Sequence, residues 1–509
     1  MSHYASVSTP KAGSLKVPTG IFINNEWSPS SSGETFSTVN PATNKPLLDI
    51  SHATKDDVDR AVKAARKAFE TTWANNVTAA ERGRLLFKLA DLMERDTDKL
   101  AAVESLNTGK GVRMARTVDL ADSIACLRYY AGLADKLHGT TIDNYAKEKF
   151  IYTIQQPIGY LSPLRADGSI PWNYPIQMWA WKIAPALAAG CCVVMKPSEL
   201  TPLTALMLSD LVAEAGFPPG VFNTVPGLGA TTGDAIARHD DIDKVAFTGS
   251  VLTGRKISIA AAESNLKKVT LELGGKSPIV IFDSADVEEA ADWAACAIWF
   301  NSGQDCCAGS RVYVQQGAYE GFVKALKARA EATAIGQPED EKTSFGPLIS
   351  QLQRDKVLRY IDSGKAEGAT VVTGGRKWAP GGEGFWIEPT ILTDIKQDMT
   401  VIREEIFGPV VCVSTFDDET EGVAMANNTT YGLAAAVFTN DTRQATRVSR
   451  ALNAGTVWIN EYMLVDNGAP FGGFKQSGIG RELGVNGMET YMQVKAVHQN
   501  LTQTSPWPL

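Results

Sequence analysis

CCVVMKPSELTPLTALMLSDLVAEAGFPPGVFNTVPG, residues 191–227, decides the fold. A short β-branched run, an apolar helix-like segment ending in Glu-Ala-Gly and a second short run follow one another without spare residues. TTGDAIARH (231–239) and KVAFTGS (244–250) repeat the pattern. Strand and helix alternating at this spacing predict a doubly wound parallel sheet, which binds ligands at the carboxyl ends of its strands.

Upstream, DDVDRAVKAARKAFE and AERGRLLFKLADLMERDTDKLAAVESLNTGK place apolar residues three and four apart among charges, as amphipathic helices do. Downstream, a second alternation opens at Ser277 with SPIVIF, continues through VEEAADWAACAIWF and reaches FGGFK at residue 475. The expected division is therefore 20–139 with 160–274 as one α/β domain and 275–475 as a second. KFIYTIQQ reads as part of a hairpin and MQVKAVHQNL as a strand, so 140–159 and 485–505 are expected to form a small β element that pairs subunits. The first twenty residues read as a floppy arm.

The totals bound the partners. At 509 residues, 44% hydrophobic and 21% charged, the chain is a multidomain globular protein. A net charge of −8 argues against nucleic acid. No apolar run reaches membrane-span length, and the opening MSHYASVSTPKAGSLKVPTG lacks a secretory core. Seven scattered cysteines point to a reducing, cytoplasmic setting, and five histidines without ligand spacing make a zinc site improbable, so no metal is expected.

Five pieces carry chemistry. In FNSGQDCCAGSR (300–311), Cys306 follows an apolar helix and a Gly-Gln turn, where a side chain can be presented into a cleft. Alone, such a cysteine is more often a small buried apolar residue. In VTLELGGK, Glu272 ends an apolar strand before two glycines, a placement that suits a general base. In IPWNYP, Asn173 is pinned between aromatics and prolines and offers an amide to an oxyanion, although asparagine in turns is common. FTGS, with Gly249 and Ser250, ends a strand and opens a helix, leaving free amides for a pyrophosphate without a GxGxxG. Lys196 and Glu199 of KPSE stand at another strand's end, where the acid would accept from ribose hydroxyls and repel a 2′-phosphate.

LELGGKSP, FNSGQDCCAGSR, EEIFGPV and PFGGFKQSGIGRELG, in this order, resemble the NAD(P)-dependent aldehyde dehydrogenase superfamily from about Ile21 to His498. The resemblance implies a Rossmann-type parallel sheet, a second α/β catalytic unit and a homodimer or homotetramer. It implies Cys306 as nucleophile, Cys307 as its non-catalytic neighbour, Glu272 as general base and Asn173 as oxyanion ligand. Lys196 and Glu199 would meet the adenosine ribose, Ser250 and Trp172 the phosphates, and Glu405 with Phe407 the nicotinamide ribose. NAD is the expected cofactor, and NADP use stays open. A glutamate at 272 favours water as acyl acceptor, so the product is a free acid.

Two features stand apart from the family pattern. An aspartate, Asp305, precedes the cysteine pair, where a carboxylate would oppose thiol ionisation. With Asp122, and Asp119 three residues before it, and the aromatic tunnel positions Tyr174, Trp181, Phe300 and Phe471, it suggests a cage for a cationic amino- or trimethylammonio-aldehyde. A neutral aliphatic or aromatic aldehyde is the competing substrate. Secondly, residues 160–170, YLSPLRADGSI, are about five residues longer than the family's short apolar strand and are broken by proline, glycine and charge. Either the surplus bulges out while Tyr160–Ser162 and Ile170 keep the strand's ends, or it remodels the cofactor cleft, or it is a translated gene-model error. The second case would leave a catalytically impaired binding or structural subunit.

Overall fold

The computed structural model describes residues 3–9, 12–74, 76–143, 148–158 and 165–502. Two sheets organise it. The first runs Gly478–Ile479, Lys268–Leu273, Lys244–Gly249, Arg165–Ser169, Cys192–Lys196, Phe222–Thr224, Ile21–Ile23, Glu26–Ser28. Its five members from Lys268–Leu273 to Phe222–Thr224 are parallel. The chain enters at Arg165–Ser169, steps outward through Cys192–Lys196 to Phe222–Thr224, then crosses to Lys244–Gly249 on the other side. The strand order thus reverses beside Arg165–Ser169, and a ligand crevice opens beyond the carboxyl ends of strands at such a point. Residues 170–175 and 249–251 lie there.

The interval 160–170 resolves in an unexpected way. Arg165–Ser169 itself forms the central strand, with Lys196 opposite Ser169 on one side and Phe247 opposite Ser169 on the other. The expectation that Tyr160–Ser162 keep one end of the strand falls outside the described residues. Hydrogen bonding of a parallel ladder uses only backbone groups, so a polar run fills the place once both neighbours are fixed. Ile170 N–H then donates to Lys196 O at 3.1 Å, which holds the following loop in line.

The second sheet runs Thr370–Thr373, Thr390–Thr393, Val410–Phe416, Arg311–Gln315, Pro278–Ile281, Ala434–Phe438, Thr456–Ile459, parallel except for the first pair. Pro278–Ile281 and Ala434–Phe438 are buried throughout, as strands covered on both faces must be. Helix Pro175–Ala189 is buried apart from Gln177, starts on a proline and stops at Gly190, whose φ of 97° a side chain would strain.

One peripheral expectation changes. The N-terminal arm is ordered: Tyr4–Thr9 and Gly13–Pro18 pair as an antiparallel hairpin. Val7 and Val17 are buried against Leu203 and Leu206, so alternate apolar residues give it a face to bury. Lys149–Pro157 pairs with Met492–Asn500 on one side and Thr141–Ile142 on the other, so the hairpin and the late strand pair with each other. No helix among the described residues is long and apolar enough to cross a membrane.

Candidate active site

Helix Val287–Trp299 starts on Asp286, whose Oδ1 accepts from the amides of Glu288 and Glu289, both at 3.0 Å. It ends in a tight reversal: Asn301, Ser302 and Gly303 have φ of 47°, 56° and 72°. Three successive left-handed residues are costly, and local contacts hold them. Ser302 Oγ donates to Gly346 O at 2.8 Å, and a Cβ on Gly303 would collide with the backbone of Gly408. Asn301 Nδ2 donates to Asn173 O, and Asn173 Nδ2 to Gln304 O, each at 3.0 Å. The loop bearing Cys306 and the loop bearing Asn173 are thereby stitched together.

Glu272 approaches from the other sheet. It lies opposite Gly478 in the antiparallel bridge at the sheet's edge, which explains part of the GIG motif. A Cβ on Gly275 would sit 2.5 Å from the Cys306 carbonyl oxygen, so the Gly-Gly pair lets the two segments meet. Glu272 is 3% exposed, and neither carboxyl oxygen has a hydrogen-bond partner of normal geometry. Burial, then the nearby Glu482 carboxylate, lift its pKa well above the carboxylate range; Lys182 and the Cys306 thiol oppose the shift. Lys182 forms an ion pair with Glu482 and donates to Thr248 Oγ1 at 2.6 Å. This Lys182–Glu482 pair was not assigned from sequence. A single cation inside the apolar run PIQMWAWKIAPALAA was the available signal.

Asp305 is buried and spends its oxygens locally. Oδ2 accepts from the Tyr174 hydroxyl at 2.6 Å, and Oδ1 from Cys307 N–H at 3.0 Å and Cys307 Sγ at 3.1 Å. A hydrogen bond with Cys306 pulls the Cys307 thiol down, but burial and Asp305 outweigh it and push it up to about 12. The hydrogen bond with Cys307, followed by burial and the charge of Glu272, raises the Cys306 thiol. Cys306 stays partly accessible, whereas Cys307 is buried.

Two cavities meet at Cys306. A cleft of about 430 Å³ is lined by every residue expected at the cofactor, namely Trp172, Lys196, Glu199, Gly249, Ser250, Glu405 and Phe407, and also by Glu272. A second of about 340 Å³ is lined by every expected tunnel residue: Asp122, Tyr174, Trp181, Phe300, Asp305 and Phe471. Asn173, Thr248 and Cys306 belong to both.

In the cleft, Ser250 caps helix Val251–Glu263 by accepting from Thr253 N–H at 3.2 Å, leaving the helix's N-terminal end facing the cavity. Lys196 Nζ donates to Pro197 O and Gly227 O, both at 2.9 Å, and is 3.3 Å from Glu199. Trp172 and Phe407 meet edge to face, 5.2 Å between centroids. Glu405 accepts from Gly275 N–H at 3.0 Å. Gln353 and Lys356, not foreseen from sequence, complete that wall. A cleft of this volume at the strand-order reversal, with helix amides, an acid at a strand's carboxyl end and flat aromatic walls, fits a dinucleotide.

In the second cavity, Asp122 accepts from Gln177 Nε2 at 2.7 Å, Trp181 Nε1 at 3.0 Å and Asn467 Nδ2 at 3.1 Å. Asp119 does not join it. That residue belongs to a wider-wound segment, Ala115–Leu120, and is fully buried in an ion pair with Lys110, so the three-residue spacing does not put both acids in the tunnel. Among the described lining residues there is no lysine or arginine.

A thiol with a buried carboxyl, at the junction of a dinucleotide-shaped cleft and an aromatic tunnel, is the arrangement of an enzyme that works through a covalent sulfur adduct. The aldehyde dehydrogenase family model matches residues 27–497. An aldehyde dehydrogenase from Emericella nidulans is 54% identical over 498 residues, 98% of each chain. The human mitochondrial aldehyde dehydrogenase is 51% identical over 485 residues, 95% of this chain and 92% of the other. The solved betaine aldehyde dehydrogenase from Staphylococcus aureus in complex with NAD+ is 40% identical, with a TM-score of 0.93 and 97% of each chain covered. The chain belongs to the aldehyde dehydrogenase family, and the activity of that family is aldehyde oxidation.

Proposed function

We propose that this chain oxidises an aldehyde to the free carboxylic acid with NAD, through a covalent adduct on Cys306. The observation that carries this reading is the meeting of both cavities at Cys306, with the unpartnered Glu272 carboxyl beside it. NAD, when bound, supplies the acceptor for the hydride that leaves the former aldehyde carbon. Trp172, Gly249, Ser250 and the helix behind them would hold its phosphates, Lys196 and Glu199 one ribose, and Glu405 with Phe407 the other.

Cys306 gives up its proton to the deprotonated Glu272, which passes it to solvent, and its sulfur bonds to the aldehyde carbon. The carbonyl oxygen takes the charge, within reach of the Asn173 amide and the Cys306 N–H. After hydride loss the carbon is a thioester. Glu272, once deprotonated, takes a proton from water, whose oxygen attacks that carbon; the carbon–sulfur bond then breaks, releasing acid and restoring the thiol. Burial, then the Glu482 carboxylate, raise the pH at which Glu272 becomes a base, and Lys182 opposes them. The backbone of 165–169 pairs in register on both sides and Ile170 bonds to Lys196, which supports an intact crevice over an impaired subunit.

For the substrate, the tunnel's two carboxylates without a cation among its described lining favour a cationic amino- or trimethylammonio-aldehyde. The neutral donors on Asp122 orient it without cancelling its charge. The S. aureus neighbour's name agrees with this reading. Assembly into a homodimer or homotetramer and a cytoplasmic location complete the proposal. An aldehyde panel assayed with NAD and NADP tests it: 4-aminobutanal is expected to show a higher kcat/KM than hexanal, and a preference for hexanal would overturn the cationic substrate. Absence of oxidation across the panel with both cofactors would overturn the whole reading.

A further inference from the structure

The coordinating atoms of Asp305, Cys306 and Cys307 all lie within 4.8 Å of one another. Asp305 Oδ1 already stands 3.1 Å from Cys307 Sγ. Adjacent cysteines seldom converge in this way: the other pair, Cys191–Cys192, runs into an extended strand, where successive side chains point to opposite faces. Cys306 and Cys307 sit instead in the turn after the left-handed reversal, so both sulfurs face the carboxylate.

The geometry points to a binding site for a soft divalent ion of the zinc–cadmium class, held by Asp305, Cys306 and Cys307 with a solvent oxygen in the fourth position, which reversibly blocks the nucleophile. Two thiolates, a carboxylate and a solvent oxygen suit a tetrahedral ion, and thiolates select zinc and cadmium over magnesium and calcium. A tetrahedral ion with metal–sulfur bonds of about 2.3 Å needs its two sulfurs about 3.8 Å apart, which atoms already within the observed spread reach by small side-chain rotations. On binding, each thiol releases its proton to solvent and forms one sulfur–metal bond. No electron is transferred, and a chelator reverses the step. The histidine-poor sequence is no obstacle, because no imidazole takes part. On this account the aspartate before the cysteine pair turns a two-sulfur contact into a chelate.

The test is a titration of the cofactor-free protein with cadmium ion, followed by the ultraviolet charge-transfer band of cadmium–thiolate bonds. One ion per chain is expected, displaced by zinc and by EDTA. Cys306→Ala and Cys307→Ser are each expected to lose most of the band, with the other cysteines present as internal controls. Asp305→Asn is expected to weaken binding about tenfold or more. No band in the wild type, a full band in the Cys306→Ala/Cys307→Ser double variant, or unchanged affinity in Asp305→Asn would each overturn the site. A thermal melt of each variant confirms that a lost band is not lost folding. The readout is optical, so it stands or falls separately from aldehyde oxidation.

Discussion

The two cavities that share Cys306 are built on opposite principles. On the cofactor side the walls come largely from backbone at strand ends and from one helix terminus, and the charges are matched: Lys196 faces Glu199 and two carbonyls, and Glu405 holds the Gly275 amide. On the aldehyde side the walls are side chains from several elements, and Asp122 and Asp305 have only neutral hydrogen-bond donors. The first cavity is fixed by topology and suits one shape of ligand. The second is fixed by residue identity, and it is where this chain has room to differ from its relatives.

The comparison can be broken most severely at the shared sulfur. Cys306→Ala is expected to cut aldehyde oxidation by about four orders of magnitude while NAD binding, followed by calorimetry, persists. Glu272→Gln is expected to cost about 100-fold to 10,000-fold in kcat. Its pH profile sharpens the point. Glu272 must be deprotonated to act, and burial raises its pKa, so wild-type activity should fall as pH drops through a limb lying above the ordinary carboxylate range. Glu482→Gln removes a neighbouring negative charge and should move that limb to lower pH; a limb that stays in place would sever Glu482 from Glu272.

Smaller effects separate the two sides. Asp122→Asn is expected to lower kcat/KM for 4-aminobutanal about tenfold and leave hexanal nearly unchanged. Equal losses for both aldehydes would make Asp122 a structural residue of the tunnel. Glu199→Gln, on the cofactor side, should raise kcat/KM for NADP about fivefold with little change for NAD, because it removes repulsion of the 2′-phosphate without removing a wall. No gain with NADP would leave cofactor choice to other residues.

The parallel sheet was legible because residues 191–250 state it twice, in strand-length apolar runs and in the glycines and polar residues that end them. The residues that line the two cavities were legible where they sit in contiguous motifs, as Glu272, Cys306 and Ser250 do. Asp119 misled because helical spacing assumes regular winding, and the segment before Ala121 is wound more widely. The Lys182–Glu482 pair was missed because its members lie 300 residues apart and neither motif states the contact. The central strand's polar run was misjudged because strand propensity measures side-chain fit, while the position here is held by ladders on both sides. The N-terminal hairpin went unseen because its apolar face is completed by Leu203 and Leu206, far along the chain.

The claim that one of two adjacent thiols carries the reaction is open to direct measurement. Glu272→Gln protein mixed with NAD and aldehyde should release one NADH per chain and then stall, and peptide mass spectrometry should find the acyl group on Cys306. An acyl group on Cys307, or NADH released with no acylated peptide, would contradict the account.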